Sequence, residues 1–97
     1  SRIGRLLGGN SIIHPRFGCA YYRPDGTKTQ YLRSGDRLEG RWHVQDDIYY
    51  SDGQCGGTGC RLIGQYPNLT FRRLDGNYQQ PVIVIHGNYC EKNGLLS

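Results

Sequence analysis

A stretch near the middle of the chain alternates at every residue between polar side chains and apolar or small ones. The polar positions are Arg37, Glu39, Arg41, His43 and Gln45, and the positions between them hold Leu38, Gly40, Trp42 and Val44. Because successive side chains of a β-strand point to opposite faces, this period of two predicts a strand with one buried face. Trp42, the only tryptophan, lies mid-strand on the apolar face, where its large ring would anchor a small core.

Similar short segments, separated by turn residues, fill most of the remaining chain. Further strands are predicted at 10–14, 17–23, 27–33, 48–51, 61–66, 68–74 and 82–85, with a short helix ending at Leu7. About seven or eight strands without helices between them are typical of an antiparallel meander. Closing such a sheet removes its exposed edges. The predicted fold is therefore all-β, an antiparallel meander closing into a small lipocalin-like barrel with the N-terminal helix across one end.

The four cysteines indicate how so small a protein is held together. A chain of 97 residues makes one domain, and a domain of this size buries too little surface to do without further constraints. An even cysteine count in a small, glycine-rich chain favours two disulfides and an oxidising compartment, either the periplasm or the extracellular medium. Cys55 and Cys60 are the favoured pair, because two antiparallel strands hold their ends together. Cys19 and Cys90 then pair by elimination.

Other pairings and other uses of these cysteines remain open at this stage. Four cysteines allow three pairings, and Cys55 with Cys60 could instead form half of a zinc site completed by His43 or His86. A second closely spaced ligand pair is lacking, so no metal and no cofactor are expected. No apolar run approaches the ~20 residues that span a bilayer. Because no secretory h-region is present, we expect a processed or trimmed form that begins at Ser1.

The composition points to a binding surface more than to an enzyme. Lysine and arginine exceed the acidic residues by 12 − 8 = 4, which makes nucleic-acid binding possible but does not favour it, since acids and bases are interspersed. Tyrosine and arginine are enriched at interface hot spots. The principal hypothesis is a non-catalytic exported binding module or accessory subunit that recognises a protein or an anionic surface. Its predicted face comprises Arg37, Arg41, Arg61, Arg72, Arg73 and Tyr49.

Two alternative functions are kept. Glu39, Arg41 and His43 share one face of one strand, and a small nuclease or phosphodiesterase could use them as base, phosphate clamp and acid. The same pattern is expected on the solvent face of any amphipathic strand, and common hydrolase, zinc-peptidase and nucleotide-binding motifs are lacking. The second alternative is a carrier for a small apolar ligand, although a barrel of this length is expected to be nearly filled by its own side chains.

Several short motifs together suggest a family. They are Leu6-Leu7-Gly8-x-Asn10, Tyr22-x-x-Pro24-Asp25-Gly26-Thr27, Gly40-Arg41-Trp42-x-Val44, and the strand at Cys60 followed by Leu74-Asp75-Gly76. With these motifs, residues 6–76 resemble small secreted or periplasmic lipocalin-like proteins of unknown function from alphaproteobacteria. The resemblance implies a lipocalin-like β fold and export, and it brings no activity and no catalytic residues. The connection after Cys55 and the Cys90 tail depart from the pattern, which leaves the family's own disulfide open here.

Overall fold

The computed structural model describes residues 1–15 and 18–93, in which eight antiparallel strands close into a barrel. The elements are α1 Arg2–Leu7, β1 Asn10–His14, β2 Gly18–Tyr22, β3 Thr27–Tyr31, β4 Arg37–Gln45, β5 Ile48–Ser51, β6 Cys60–Gln65, β7 Asn68–Arg73, β8 Gln79–His86 and α2 Tyr89–Asn93. Each strand pairs with its neighbours in sequence, and β1 closes the barrel by pairing with β8. The predicted fold class is confirmed.

The two-residue period of the strands decides which side chains face the barrel interior. On β4 the small and apolar positions point inward, and Trp42 is only 7% exposed, as its place in the alternation predicts. Ile12 on β1 and Val84 on β8 are partners in the register, and both side chains face the interior where these two strands close the barrel. On β8, Val82 and Val84 are buried, whereas Ile83 on the outer face is 45% exposed. Both faces of the 82–85 run are apolar. Among the described residues, none covers Ile83 on the outer face of the strand.

Helix α1 closes one end of the barrel. Its Ile3 and Leu7 side chains are fully buried in the barrel core. The hydroxyl of Ser1 accepts a hydrogen bond from the Gly4 amide at 3.0 Å, which caps the helix N-terminus. Arg2 donates to two carbonyl oxygens of β6, those of Leu62 and Gly64, at 3.0 Å each. Apolar burial and these two bonds together hold the helix across the end.

Both predicted disulfides are present, Cys19 with Cys90 and Cys55 with Cys60. Oxidised cysteines offer no thiolate to a metal, so the alternative of a zinc half-site is wrong. The longer bridge fixes α2, an element that the sequence did not predict, against the outside of β2. The hydroxyl of Ser11 supports it by accepting from the Tyr89 amide at 3.0 Å and donating to the Gly87 carbonyl at 2.8 Å.

The strand boundaries differ from the predictions at a few points. β3 ends at Tyr31, two residues before its predicted end, and β8 begins at Gln79, three residues before its predicted start. β8 continues through Pro81, which a strand tolerates where the missing N–H needs no partner in the ladder. The predicted start of β2 at Phe17 lies outside the described residues. These shifts leave the inward and outward positions unchanged.

Candidate functional site

The half of the barrel opposite α1 encloses a cavity of about 410 Å³. One inward position there is small, because Ala20 on β2 lines the cavity and leaves space inside the barrel. Its apolar wall is formed mainly by Ile12, Ala20, Leu32, Leu38, Phe71 and Tyr78. Leu38 is exposed and marks the rim. Cavities of this size with mostly apolar walls are typical of small-molecule sites.

Aromatic side chains form the floor of the cavity and separate it from α1. Tyr22 meets Trp42 edge to face with ring centroids 5.4 Å apart, and Tyr49 lies 4.9 Å from Phe71. The indole N–H of Trp42 donates to the carbonyl oxygen of Arg23 at 3.0 Å, so its polar atom is satisfied although the ring is buried. The large residues thus gather at the closed end and leave the other half of the barrel open.

The hydroxyls of Tyr22 and Tyr49 form a polar pair at the cavity floor, 2.8 Å apart. Burial raises the pKa of Tyr49 to about 12, and burial together with the neighbouring Tyr49 raises the pKa of Tyr22 well above its ordinary value. Both groups are therefore neutral at physiological pH. Two hydroxyls carry two protons, and their mutual bond uses one of them.

Within residues 1–15 and 18–93, Lys28 is the one lysine or arginine that lines the cavity. Its side chain is only 9% exposed, and within residues 1–15 and 18–93 its ammonium has neither a hydrogen-bond acceptor nor an ion-pair partner. The ring of Tyr22 is one favourable neighbour, with its centroid 5.8 Å from Nζ. Desolvation lowers the pKa of Lys28, and the negative charge of Asp52 opposes this effect in part.

Gly40 makes room for this arrangement. It pairs with Lys28 in the β3–β4 register, and a Cβ atom added to it would lie 2.5 Å from Asp52 Oδ2 and 3.3 Å from Lys28 Cε. Asp52 Oδ2 also lies 3.4 Å from the Arg41 amide, which donates to it. The carboxylate is held over β4 by this contact and remains beyond ion-pair distance of Lys28.

The loop between β5 and β6 forms part of the cavity rim. Asp52, Gln54 and Cys55 all line the cavity, and the Cys55–Cys60 disulfide closes the loop at its base. Arg73 fastens the loop to the next turn, donating to Gln54 Oε1 at 2.6 Å and pairing with Asp75 at 2.8 Å. Arg73 thus has a structural use and is half-buried, which sets it apart from the other arginines of the predicted face.

The predicted tyrosine and arginine face is only partly assembled. Arg37, Arg41, Arg61 and Arg72 are exposed on the outer wall, but Tyr49 is 3% exposed and faces the barrel interior. Its inclusion in an outer face is therefore wrong, because the register pairs it with Val44 and Cys60 on the inward side.

The exposed arginines also fall at two different heights on the barrel. Cys60 lies level with Val44 through β5, so Arg37 is seven residues, or about 23 Å along the strand, from the level of Cys60. Arg37 packs instead on the ring of Tyr31 at 5.3 Å. Arg61 and Arg72, in contrast, are direct partners on β6 and β7. The outer wall therefore carries one close pair, Arg61 with Arg72, while Arg37 lies apart from it and Arg41 lies near Arg23.

The hypothetical catalytic group of Glu39, Arg41 and His43 does not form one site. All three side chains are exposed on the outside of β4. Glu39 and His43 are four residues apart, which is about 13 Å in a strand. The carboxylate of Glu39 accepts a hydrogen bond from the Thr29 hydroxyl, whereas the His43 ring stacks on Tyr50 with centroids 4.9 Å apart. Acid and base are thus engaged with different partners.

Sequence reasoning missed Lys28 and the tyrosine pair as site residues. The segment Thr27–Tyr31 is polar or amphipathic at every position, so no alternation shows which of its side chains face inward. Gly40 was the available signal, because a glycine at an inward position of an otherwise well-patterned strand often marks a close approach.

Comparisons with known proteins give no information about the function of this chain. No family model matches the chain, and no match was found among curated proteins or solved structures. In the part of the chain that the structure describes, no three His, Cys, Asp or Glu side chains form a group that could hold a metal ion. No helix in residues 1–15 and 18–93 has the length and apolar character needed to cross a bilayer.

Proposed function

We propose that the protein is a non-catalytic binding protein that holds a small, largely apolar molecule inside its barrel. The cavity of about 410 Å³ carries this proposal, since it falls within the range of small-ligand sites. The expectation of a barrel filled by its own side chains is wrong for the half opposite α1. The two disulfides support work in an oxidising compartment, which we propose to be the periplasm or the extracellular medium.

A neutral fluorescent probe tests the cavity without involving charge. N-phenyl-1-naphthylamine brightens in apolar surroundings, and it can receive excitation energy from Trp42, whose ring centroid is 6.5 Å from that of the cavity-lining Tyr49. We expect saturable binding with one site per chain and energy transfer from the tryptophan. Ala20→Leu should weaken binding at least tenfold, because the added side chain enters the cavity.

A matched substitution on the outer wall controls for general effects. Thr70 faces outward on β7, opposite Ile63 and Pro81, so Thr70→Leu should leave probe binding unchanged. Probe binding that is equally strong in Ala20→Leu, with both variants folded by circular dichroism, would place the probe elsewhere and refute the cavity as the binding site.

Recognition of an anionic surface is a second candidate, favoured by one observation. Arg61 and Arg72 face each other directly across β6 and β7, both exposed, and like charges opposite one another destabilise a sheet. In the described residues neither arginine forms an ion pair. An anionic partner would relieve the repulsion, and arginine suits carboxylate and phosphate groups.

Retention on an immobilised polyanion such as heparin tests this candidate. Arg61→Gln with Arg72→Gln should elute at clearly lower salt than the parent, and Arg37→Gln should elute close to the parent, since Arg37 lies about 23 Å away along the strand direction. Equal losses in the two variants would indicate net charge alone and would count against a specific arginine pair.

A further inference from the structure

We propose that the cavity selects ligands carrying one negatively charged group, a carboxylate, on an apolar body, and that Lys28 is the residue that recognises this group. The inference rests on the proposed function and adds the chemical class of the ligand. Its starting observation is a cationic side chain that lines an otherwise mostly apolar cavity and is nine-tenths buried.

The ammonium of Lys28 has no hydrogen-bond or ion-pair partner within the described protein, and what contact it has with solvent is through the cavity. A buried charge is costly unless it is paired and hydrogen-bonded, and an ammonium has three N–H donors to place. Within the described residues none of the three has an acceptor: the Tyr22 ring centroid is 5.8 Å from Nζ, and Asp52 acts on the ammonium only from beyond ion-pair distance. A ligand anion would supply the missing hydrogen-bond acceptor and counter-charge.

The nearby acidic groups do not provide an acceptor for the Lys28 ammonium. Asp52 lines the cavity but is exposed, and it accepts from the Arg41 amide at 3.4 Å. Glu39 points outward from β4 and accepts from Thr29. Neither carboxylate lies within ion-pair distance of Lys28, so the place beside the ammonium is open to a ligand.

The number of charges favours a monoanion. Among the residues that the structure describes, Lys28 is the one lysine or arginine in the cavity lining, and Asp52 at the rim would repel a second negative charge. A phosphate group with two negative charges usually calls for several cationic or backbone donors. A carboxylate can be held by a single ammonium, and the hydroxyls of Tyr22 and Tyr49 add a polar group at the cavity floor.

The remaining wall suits a hydrocarbon body. Ile12, Ala20 and Phe71 are buried, and Leu38 continues the apolar surface to the rim. A molecule with its carboxylate at Lys28 would extend past these side chains toward the mouth. The site therefore fits an aliphatic or aromatic monocarboxylic acid better than a sugar or a nucleotide.

Matched competitors separate charge recognition from cavity binding. Decanoic acid and decanol have the same chain length, and each is titrated against bound N-phenyl-1-naphthylamine at pH 7. We expect the wild-type protein to bind the acid at least tenfold more tightly than the alcohol. In Lys28→Met the acid should lose this advantage while the probe and the alcohol still bind, and Lys28→Arg should retain part of it.

Each result has a distinct meaning. Equal displacement by acid and alcohol in the wild-type protein would overturn the carboxylate assignment and leave the cavity proposal standing. A preference that survives in Lys28→Met would overturn the role of Lys28. If the neutral probe fails to bind the wild-type protein at all, the proposed function is wrong and the ligand class is wrong with it. Circular dichroism confirms that each variant is folded.

Discussion

Trp42 is the side chain on which the closed end of the barrel most depends. Its ring lies between α1 and the aromatic floor, in contact with Tyr22 and Tyr49. Its N–H group donates to two backbone oxygens, those of Arg23 and Thr27, at 3.0 and 3.2 Å. The residue thus joins apolar packing to the hairpin between β2 and β3.

Trp42→Ala should lower the free energy of unfolding by roughly 3–5 kcal/mol, the usual cost of truncating a large buried aromatic. That is a large part of the stability of a typical small domain. Chemical denaturation monitored by circular dichroism measures it. His43→Ala, one residue along on the outer face, is the control and should change stability by less than about 1 kcal/mol. Similar losses in the two variants would contradict the buried role of Trp42.

The buried tyrosine pair predicts a loss of stability at alkaline pH. In the unfolded chain tyrosine has a pKa near 10, whereas the folded protein raises the pKa of Tyr49 to about 12 and also raises the pKa of Tyr22 well above 10. The folded state therefore holds these protons more tightly. The contribution is fully present below pH 10 and is lost as pH rises from 10 through 12, by roughly 3 kcal/mol for Tyr49 alone.

Urea denaturation at a series of pH values between 8 and 11 checks this. The wild-type protein should lose stability steeply above pH 10, and Tyr49→Phe should show a shallower decline although it starts from a lower value. Tyr66→Phe is the matched control, since Tyr66 is exposed, and it should follow the wild-type slope. Parallel curves for Tyr49→Phe and the wild type would argue against a raised pKa at Tyr49.

At the residue level, the sequence predicted the position of Trp42 but not that of Lys28 or Tyr49. Trp42 sits in a strand whose alternation is unambiguous. Tyrosine is amphipathic and fits either face of a strand, so the short segment around Tyr49 left its direction open. A lysine is expected on the surface, and only the pairing of β3 with β4 shows that Lys28 points inward.

Among the elements, the strands were largely predictable and the helix α2 was not. Strand positions follow from local alternation and turn residues, which the chain displays clearly. Helix α2 has five residues, too few to show a helical period or to be stable alone. It is held by the Cys19–Cys90 disulfide and by Ser11, contacts that bring together distant parts of the chain. A short helix that depends on such long-range contacts is hard to predict from its own local sequence.

The two disulfides should differ in how much they contribute to stability and to probe binding. The Cys19–Cys90 bridge encloses a long loop, and loop entropy predicts a contribution of roughly 4 kcal/mol, whereas the short Cys55–Cys60 loop predicts roughly 2 kcal/mol. The short bridge, however, closes the rim loop of the cavity. We therefore expect the Cys55→Ala, Cys60→Ala variant to lose more probe affinity and less stability than the Cys19→Ala, Cys90→Ala variant.

Denaturation curves and probe titrations of the two double variants measure both quantities. The probe is N-phenyl-1-naphthylamine, and titration is carried out well below each melting temperature so that both variants remain folded. If the Cys55→Ala, Cys60→Ala variant binds the probe as the wild type does, the rim loop keeps its shape without the bridge. That outcome would contradict the role assigned to the short disulfide.

At the scale of the whole molecule, the packed core and the proposed binding cavity lie at opposite ends of one barrel. The closed end combines α1, the aromatic floor and Trp42, whereas the open end has the small residue Ala20 and a lysine, Lys28, whose ammonium has no ion-pair partner among the described residues. A cavity that holds an unpaired charge lowers stability, and functional sites often carry such costs. This predicts that Lys28, the side chain proposed to select the ligand, makes the empty protein less stable.

Lys28→Met tests this at the level of the whole fold. Methionine has a similar length and no charge, so the desolvation cost of the ammonium disappears, and the free energy of unfolding of the empty protein should rise by roughly 1–3 kcal/mol at pH 6. Burial lowers the pKa of Lys28 in the folded state, while the unfolded chain keeps a pKa near 10.4. The unfolded state then binds more protons as pH approaches that value, so wild-type stability rises relative to the variant.

The advantage of Lys28→Met should therefore be largest near pH 6 and shrink as pH rises toward 10. Urea denaturation of both proteins at pH 6, 8 and 9.5 gives the difference directly, and the titration of the buried tyrosines cancels because both proteins contain them. Lys92→Met, a second lysine changed in the same way, serves as the control for lost charge. A Lys28→Met protein that is less stable than the wild type at every pH would show that the ammonium is already compensated, which would remove the physical reason for an anionic ligand.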